Sequence, residues 1–304
     1  MLASEIQERR NKRSLITLTL LVIVTVATAF LIKRSDRPPV DKTVFKTIDF
    51  EAVDKIRIEN SRDTIELSFV NSRWLVNNEY AADRNLVTLF FATLKQAEPK
   101  REINLSGADS IARSFEQPGS KVMLYSGANL VQTFLASGNN TKTQSFFKDP
   151  ASGKVYLMTI PGYRVYVSGI FELNEGGWRD KMLFGSFNWR NFQSLEMQFP
   201  EKPGENFKVQ AEGAGLFGVV GVKTDTAKLN TFLDDVSLLV VDEYPESAKL
   251  RDSLTQVKPF LNLIVRDIAN SNHTLRVFRE NQHRVLGLWM DNQVVLFDPQ
   301  RVRN

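Results

Sequence analysis

The chain has 304 residues, with 39 Lys and Arg against 35 Asp and Glu, for a formal net charge of +4. Residues 1–34 hold six of the basic and two of the acidic residues, so residues 35–304 balance at 33 of each sign, which excludes the basic footprint of a nucleic-acid-binding domain. The lack of cysteine excludes thiol catalysis, disulfides, thiolate metal sites and an N-terminal lipoprotein anchor, and two histidines, His273 and His283, are too few for a three-histidine metal centre.

After a short tail (1–14), the first predicted element is a transmembrane helix. From Leu15 to Ile32 the chain runs without a single charge. As a helix this segment is roughly 27 Å long, close to the hydrocarbon thickness of a bilayer. Its threonines, at 17, 19, 25 and 28, can return their hydroxyl bonds to the preceding turn. A cleaved signal peptide is the competing reading, because Ala27-Thr28-Ala29 has the small-x-small form of a cleavage site. The apolar run continues past that site to Ile32, which favours an uncleaved anchor in contact with the lipid bilayer. Orientation is undecided on charge: four Lys or Arg precede the span (9, 10, 12, 13) and four follow it (33, 34, 37, 42). The expected arrangement leaves the short tail inside and the bulk of the chain outside. Residues 33–43, with Pro38-Pro39, read as a stiff linker.

The remaining chain carries an internal repeat. The apolar positions Ile48, Phe50, Val53, Ile56 and Ile58 recur, at one constant offset, as Phe187, Trp189, Phe192, Leu195 and Met197. Asp83, Val87, Phe90, Phe91 and Leu94 recur, at a constant and only slightly longer offset, as Asp225, Leu229, Phe232, Leu233 and Val236. The apolar members have the i, i+3, i+4, i+7 spacing of one helix face, and each Asp stands at an N-cap. Two units follow, 44–184 and 185–304. Within the first, Ile65 to Phe69 alternates apolar and polar as a half-buried strand does, and Asn77-Asn78 marks a turn. Lys121 to Tyr125 and Val131 to Leu135 flank a hairpin loop, and a second helix is expected over residues 163–173. The fold class is α+β: an N-terminal transmembrane helix, then two tandem copies of a mostly antiparallel β-sheet unit, each with a covering amphipathic helix.

Few motifs point to chemistry. Gly213 to Gly218 matches G-x-G-x-x-G, but Val219-Val220-Gly221-Val222 follows where a dinucleotide site needs a helix. In the repeat this stretch overlies the hairpin at Trp74 to Tyr80, so a hairpin is expected. His273 and His283 have no G-x-S-x-G partner and read as surface residues. Asp234-Asp235 and Asp242-Glu243 lack the loop spacing of a cation site. One cluster stands out at the junction of the units: Tyr163, Tyr166, Trp178, Arg179 and Asp180, beside Gly176-Gly177. It reads either as a binding site or as a structural pin between repeats, with a paired Arg and a buried indole. No catalytic residue, cofactor or metal ligand is expected.

Three blocks carry a resemblance: IDFEAVDKIRIEN (48–60), RWLVNNEYAADRNLVTLFFATL (73–94) and VYVSGIFELNEGGWRDKMLF (165–184). Together they resemble the bacterial domain of unknown function numbered 4340, over about 44–184 and more weakly in the second unit. The resemblance implies a protein anchored by one N-terminal helix and often encoded beside ABC-transporter components similar to the gliding-motility type. It implies those membrane components as partners and carries no catalytic residues. The expected function is a non-enzymatic accessory or scaffold subunit of a transporter complex in the bacterial inner membrane, with the bulk of the chain on the periplasmic side. The alternatives are an extracytoplasmic module for a glycan or peptide, using the cleft between the copies, and a hydrolase whose site the sequence hides.

Overall fold

The apolar run near the N-terminus folds as helix α1, Leu2–Lys33. Thr17, Thr19, Thr25 and Thr28 each donate to the carbonyl four residues earlier, at 2.7–2.9 Å, so the helix satisfies its own hydroxyls. None of the apolar stretch between Gln7 and Ala29 is buried against the rest of the chain. The helix is long and apolar enough to cross a membrane; an N-terminal signal sequence would meet the same criteria. The computed structural model describes residues 2–33, 40–104, 110–116, 119–184, 191–213, 216–279, 284–290 and 292–299. Pro38-Pro39, Phe187, Trp189 and His283 lie outside them.

The first sheet is built from β1 (Lys55–Glu59), β2 (Thr64–Val70), β3 (Arg73–Val76) and β4 (Tyr80–Ala81), then helix α2 (Arg84–Gln96) and β5 (Glu98–Ile103). A short helix α3 (Ser110–Ser114) leads to β6 (Ser120–Ser126), β7 (Asn129–Gly138), β8 (Ser145–Lys148) and β9 (Val155–Thr159). The order across this nine-stranded sheet is β4-β3-β2-β1-β6-β7-β8-β9-β5. A short helix α4 (Glu175–Trp178) precedes the second sheet. There follow β10 (Phe192–Gln198), β11 (Phe207–Gly213), β12 (Leu216–Val219), helices α5 (Thr226–Ser237) and α6 (Ala248–Thr255), β13 (Leu261–Asp267), β14 (Asn272–Val277), β15 (Val285–Trp289) and β16 (Gln293–Phe297). Their order is β12-β11-β10-β13-β14-β15-β16.

The strands β3-β2-β1-β6-β7-β8-β9 of the first sheet correspond in order to those of the second. The pair Val122↔Phe134 has its counterpart in Leu263↔Leu275, both members shifted along the chain by the same amount. Asp83 and Asp225 each accept two backbone N–H groups at the starts of α2 and α5, so the two covering helices begin on the same cap. Phe45 and Phe184, which stand at the offset of the first repeated block, are both 3% exposed in their respective cores. The edge strand β5 has a counterpart as well: Glu243 bridges Leu296 of β16.

Alternation puts Ile56, Ile58, Leu67, Val122 and Leu124 on the sheet face under α2, whose Val87, Phe90 and Leu94 close the first core. Phe90, Phe134, Phe147, Phe171 and Trp178 form a continuous ring cluster there, with neighbouring centroids 4.7–6.0 Å apart. In the second core Leu229 and Leu233 of α5 lie over Leu195, Val209, Val265, Leu275 and Val295.

The structure departs from expectation at residues 163–173. Pro161-Gly162 makes a tight turn closed by Tyr163 N–H to Ile160 O at 3.0 Å, with Gly162 at φ +81°. Tyr163, Arg164 and Val165 are then exposed, and only Val167–Glu172 winds, as a 3-10 helix without a side-chain N-cap. An uncapped start and a glycine at 169 leave too little to sustain an α-helix; burying Phe171 fixes the tighter turn. The seam between the cores also lies a few residues before 184. Met182 bridges Val240, Leu183 N–H donates to Leu239 O, and Phe184 packs in the second core. The glycine-rich stretch forms the β11–β12 hairpin, its residues 214–215 lying outside the described ones. Asp234 and Asp235 sit on the exposed side of α5.

Candidate functional site

All five residues of the sequence-derived cluster belong to the stretch 160–180, but it divides into two places. Tyr163 and Tyr166 face a groove beside α2. Trp178, Arg179 and Asp180 form the junction between the sheets.

At the junction the backbone of 178–183 is bonded to both units. Asp83 N–H donates to Trp178 O and Asp180 N–H to Ala81 O, both at 2.8 Å, while Val241 N–H donates to Lys181 O at 2.8 Å. The Trp178 side chain is fully buried in the first core. The Arg179 guanidinium lies between two tyrosines, its carbon 3.6 Å from the Tyr80 ring centre and 3.8 Å from that of Tyr244. Tyr80 comes from the first sheet and Tyr244 from the segment that follows α5, so one cation stacks on a ring from each unit. Arg179 also donates to Gln293 of β16 and stands 4.0 Å from Glu175. Glu175 in turn accepts from Asn77 Nδ2 at 2.6 Å. The Tyr244 hydroxyl donates to the Asp180 carbonyl at 2.7 Å, and the Asp180 carboxylate caps Met182 N–H at 3.0 Å.

Arg179 is 8% exposed, and its Nε has no hydrogen-bond partner among the described residues. Burial lowers the guanidinium below its ordinary value, against the phenols and Glu175, which favour its charge. Burial pushes Tyr244 up to about 12 and raises Tyr80 as well. A cavity of about 250 Å³ adjoins the stack, lined by Tyr80, Glu175, Arg179, Tyr244, Glu246 and Arg251 among others. Burial, followed by the facing Asp63 and Glu175, raises the Glu246 carboxyl. The arrangement holds a cation firmly and ties two sheets together; the guanidinium is committed to its rings.

Tyr166 is seated differently. Its ring covers Gly138, where any Cβ would collide with it. Its hydroxyl donates to Glu172, whose second oxygen accepts from Lys142 at 2.8 Å. Burial and that carboxylate hold the phenol well above its usual range. Tyr163 is 66% exposed. The three aromatics therefore do not line one concave surface. His273 stacks on Trp289 with its Nε2 3.8 Å from Asp267. Among the described residues no group of three or more His, Asp or Glu side chains could hold a metal ion.

Sequence reasoning missed Tyr80, Tyr244 and Gln293. Tyr80 lies inside the block at 73–94, a signal that was there to use. Tyr244 and Gln293 have no local signature, since only the meeting of the two units brings them to Arg179.

Residues 74–258, more than half of the chain, match the family described as Domain of unknown function (DUF4340). The match runs through both sheets and includes 160–180. No curated protein and no solved structure matches the chain.

Proposed function

The chain belongs to the DUF4340 family, whose description assigns no activity, and from that premise we propose that it is a membrane-anchored scaffold. In this reading α1 is retained as a single transmembrane span. The two-sheet region stands on the extracytoplasmic side, as a non-enzymatic accessory subunit of an ABC-type transporter complex. The observation that carries the reading is α1 itself. Between Gln7 and Ala29 it is not buried against any of the described residues, and neither core includes a residue of it. An apolar helix of that length is stable in lipid and costly in water. The shared strand order and the paired Asp caps further support reading the two sheets as a duplication. Arg179 at their seam suits a rigid spacer, because it fixes one unit against the other. Purification of the tagged full chain in mild detergent tests the proposal. Transporter membrane components should co-elute in fixed ratio; a lone chain under conditions that keep other such complexes intact would refute it.

A second reading, a module for a glycan or peptide, draws on the cavity beside Arg179. Against it, Trp178 is enclosed in the first core and Arg179 already fills the gap between the two rings.

A further inference from the structure

The segment 160–173 creates an apolar groove that the interior does not use. Leu86, Leu89 and Thr93 of α2 form one wall, and Ile160, Tyr163 and Val165 form another, around a space of about 450 Å³. Leu89, Tyr163 and Val165 are 53%, 66% and 49% exposed. Arg164, also exposed, stands between the last two. An aromatic with a polar tip, a cation on a long stem and two aliphatics together make a surface suited to a lipid headgroup boundary.

The position of the groove selects its occupant. Lys42, near the end of the linker, bonds to Glu98 at 2.8 Å. Glu98 lies two residues beyond Gln96, which lines the groove, and pairs with Thr159, the neighbour of Ile160. The chain coming from α1 therefore joins the folded region beside the groove. The short connection from Lys33 to Lys42 limits their separation to about 30 Å. A second exposed apolar group, Phe69, Val70, Leu130 and Val131, occupies the hairpin tips at the other end of the same sheet. Along β7 those tips are roughly 25 Å from the end that Glu98 shares.

We propose that the face formed by Leu89 and the loop at 161–165 rests on the bilayer into which α1 inserts. Tyr163 and Val165 enter the headgroup boundary, and Arg164 meets lipid phosphates. The inference rests on α1 being a membrane span, so its test must report on both. The lack of native cysteine makes single-site spin labelling of the full chain direct. Tyr163→Cys, Leu89→Cys, Leu130→Cys and Leu21→Cys, labelled separately, are placed in nanodiscs of phosphatidylcholine and phosphatidylglycerol. Collision with oxygen, which partitions into lipid, is compared with collision with a water-soluble nickel chelate. Labels at 163 and 89 should collide with nickel at least threefold less than the label at 130, and more with oxygen. Nickel access at 163 and 89 equal to that at 130 would overturn the proposal. So would shielding from both agents, which marks a protein partner in the groove. If the label at 21 is open to nickel, the anchor reading fails and the docking falls with it; if 21 is in lipid and 163 is wet, the docking alone fails.

Discussion

Replacing Arg179 should uncouple the two sheets. The guanidinium stacks on Tyr80 and Tyr244, and a desolvated cation–π contact is worth about 1–2 kcal/mol, so the two rings contribute about 2–4 kcal/mol. The charged hydrogen bond to Gln293 adds about 1.5–3 kcal/mol. Against this, Arg179→Ala removes a buried Nε without a partner, which returns about 1–3 kcal/mol. The net loss should be about 3 kcal/mol, the middle of a range of about 0.5–6 kcal/mol. Arg179→Lys keeps the charge but loses the flat face that lies between the rings, so it should cost about 2 kcal/mol rather than being neutral. Denaturant unfolding of the full chain in detergent, followed by tryptophan fluorescence, measures these losses. Since the rings belong to different units, Arg179→Ala should also divide a single transition into two. Double-mutant cycles with Tyr80→Leu and with Tyr244→Leu should each return a coupling of about 1–2 kcal/mol. Couplings below about 0.5 kcal/mol in both cycles would refute the pin, and the junction would be simple apolar packing.

Three further outcomes are expected. Asp83→Ala and Asp225→Ala should each cost about 1 kcal/mol in the same denaturation assay, because each removes a cap that accepts two N–H groups. Gly138→Ala should cost about 1–3 kcal/mol, since the new methyl displaces the Tyr166 ring and with it the segment 163–173; faster amide exchange across 166–172 should accompany the loss. Tyr244 titrates near 10 when unfolded and is pushed up to about 12 when folded, so its stabilising effect is complete below pH 10 and is lost as pH rises through 12. Tyr244→Phe should flatten that alkaline decline in stability while keeping the ring that Arg179 stacks on.

The helices over Val87–Leu94 and Leu229–Val236 were legible because a 3.6-residue apolar period and an Asp cap are local signals. The strands around Ile65 and Lys121 were legible from alternation and from turn residues such as Asn77, which adopts φ +51°. Residues 163–173 were misread because Tyr166, Val167, Ile170 and Phe171 mimic a helical stripe, while the groove wall they build depends on Phe171 entering a core assembled from distant strands. Trp178 as a buried indole beside Arg179 was among the readings drawn from its type and neighbours. Neither ring that Arg179 stacks on was, and Tyr244 has no local signal, because it meets Arg179 only where residues 181–183 pair with 239–241. The exposed face of Tyr163 and Val165 resembles any surface loop in sequence; the role proposed for it comes from the groove it shares with Gln96 and Ile160, next to the Glu98–Thr159 pair that Lys42 joins.

Protease access to the two-sheet region in intact spheroplasts, read on a chain tagged at its C-terminus and compared with lysed cells, tests the proposed anchored, outward-facing arrangement most directly. External protease should remove the tag from intact spheroplasts and leave a membrane-bound fragment that retains the residues of α1. A tag that is protected until the cells are lysed, or a mature chain that begins after Ala29 and leaves the membrane fraction, would contradict it.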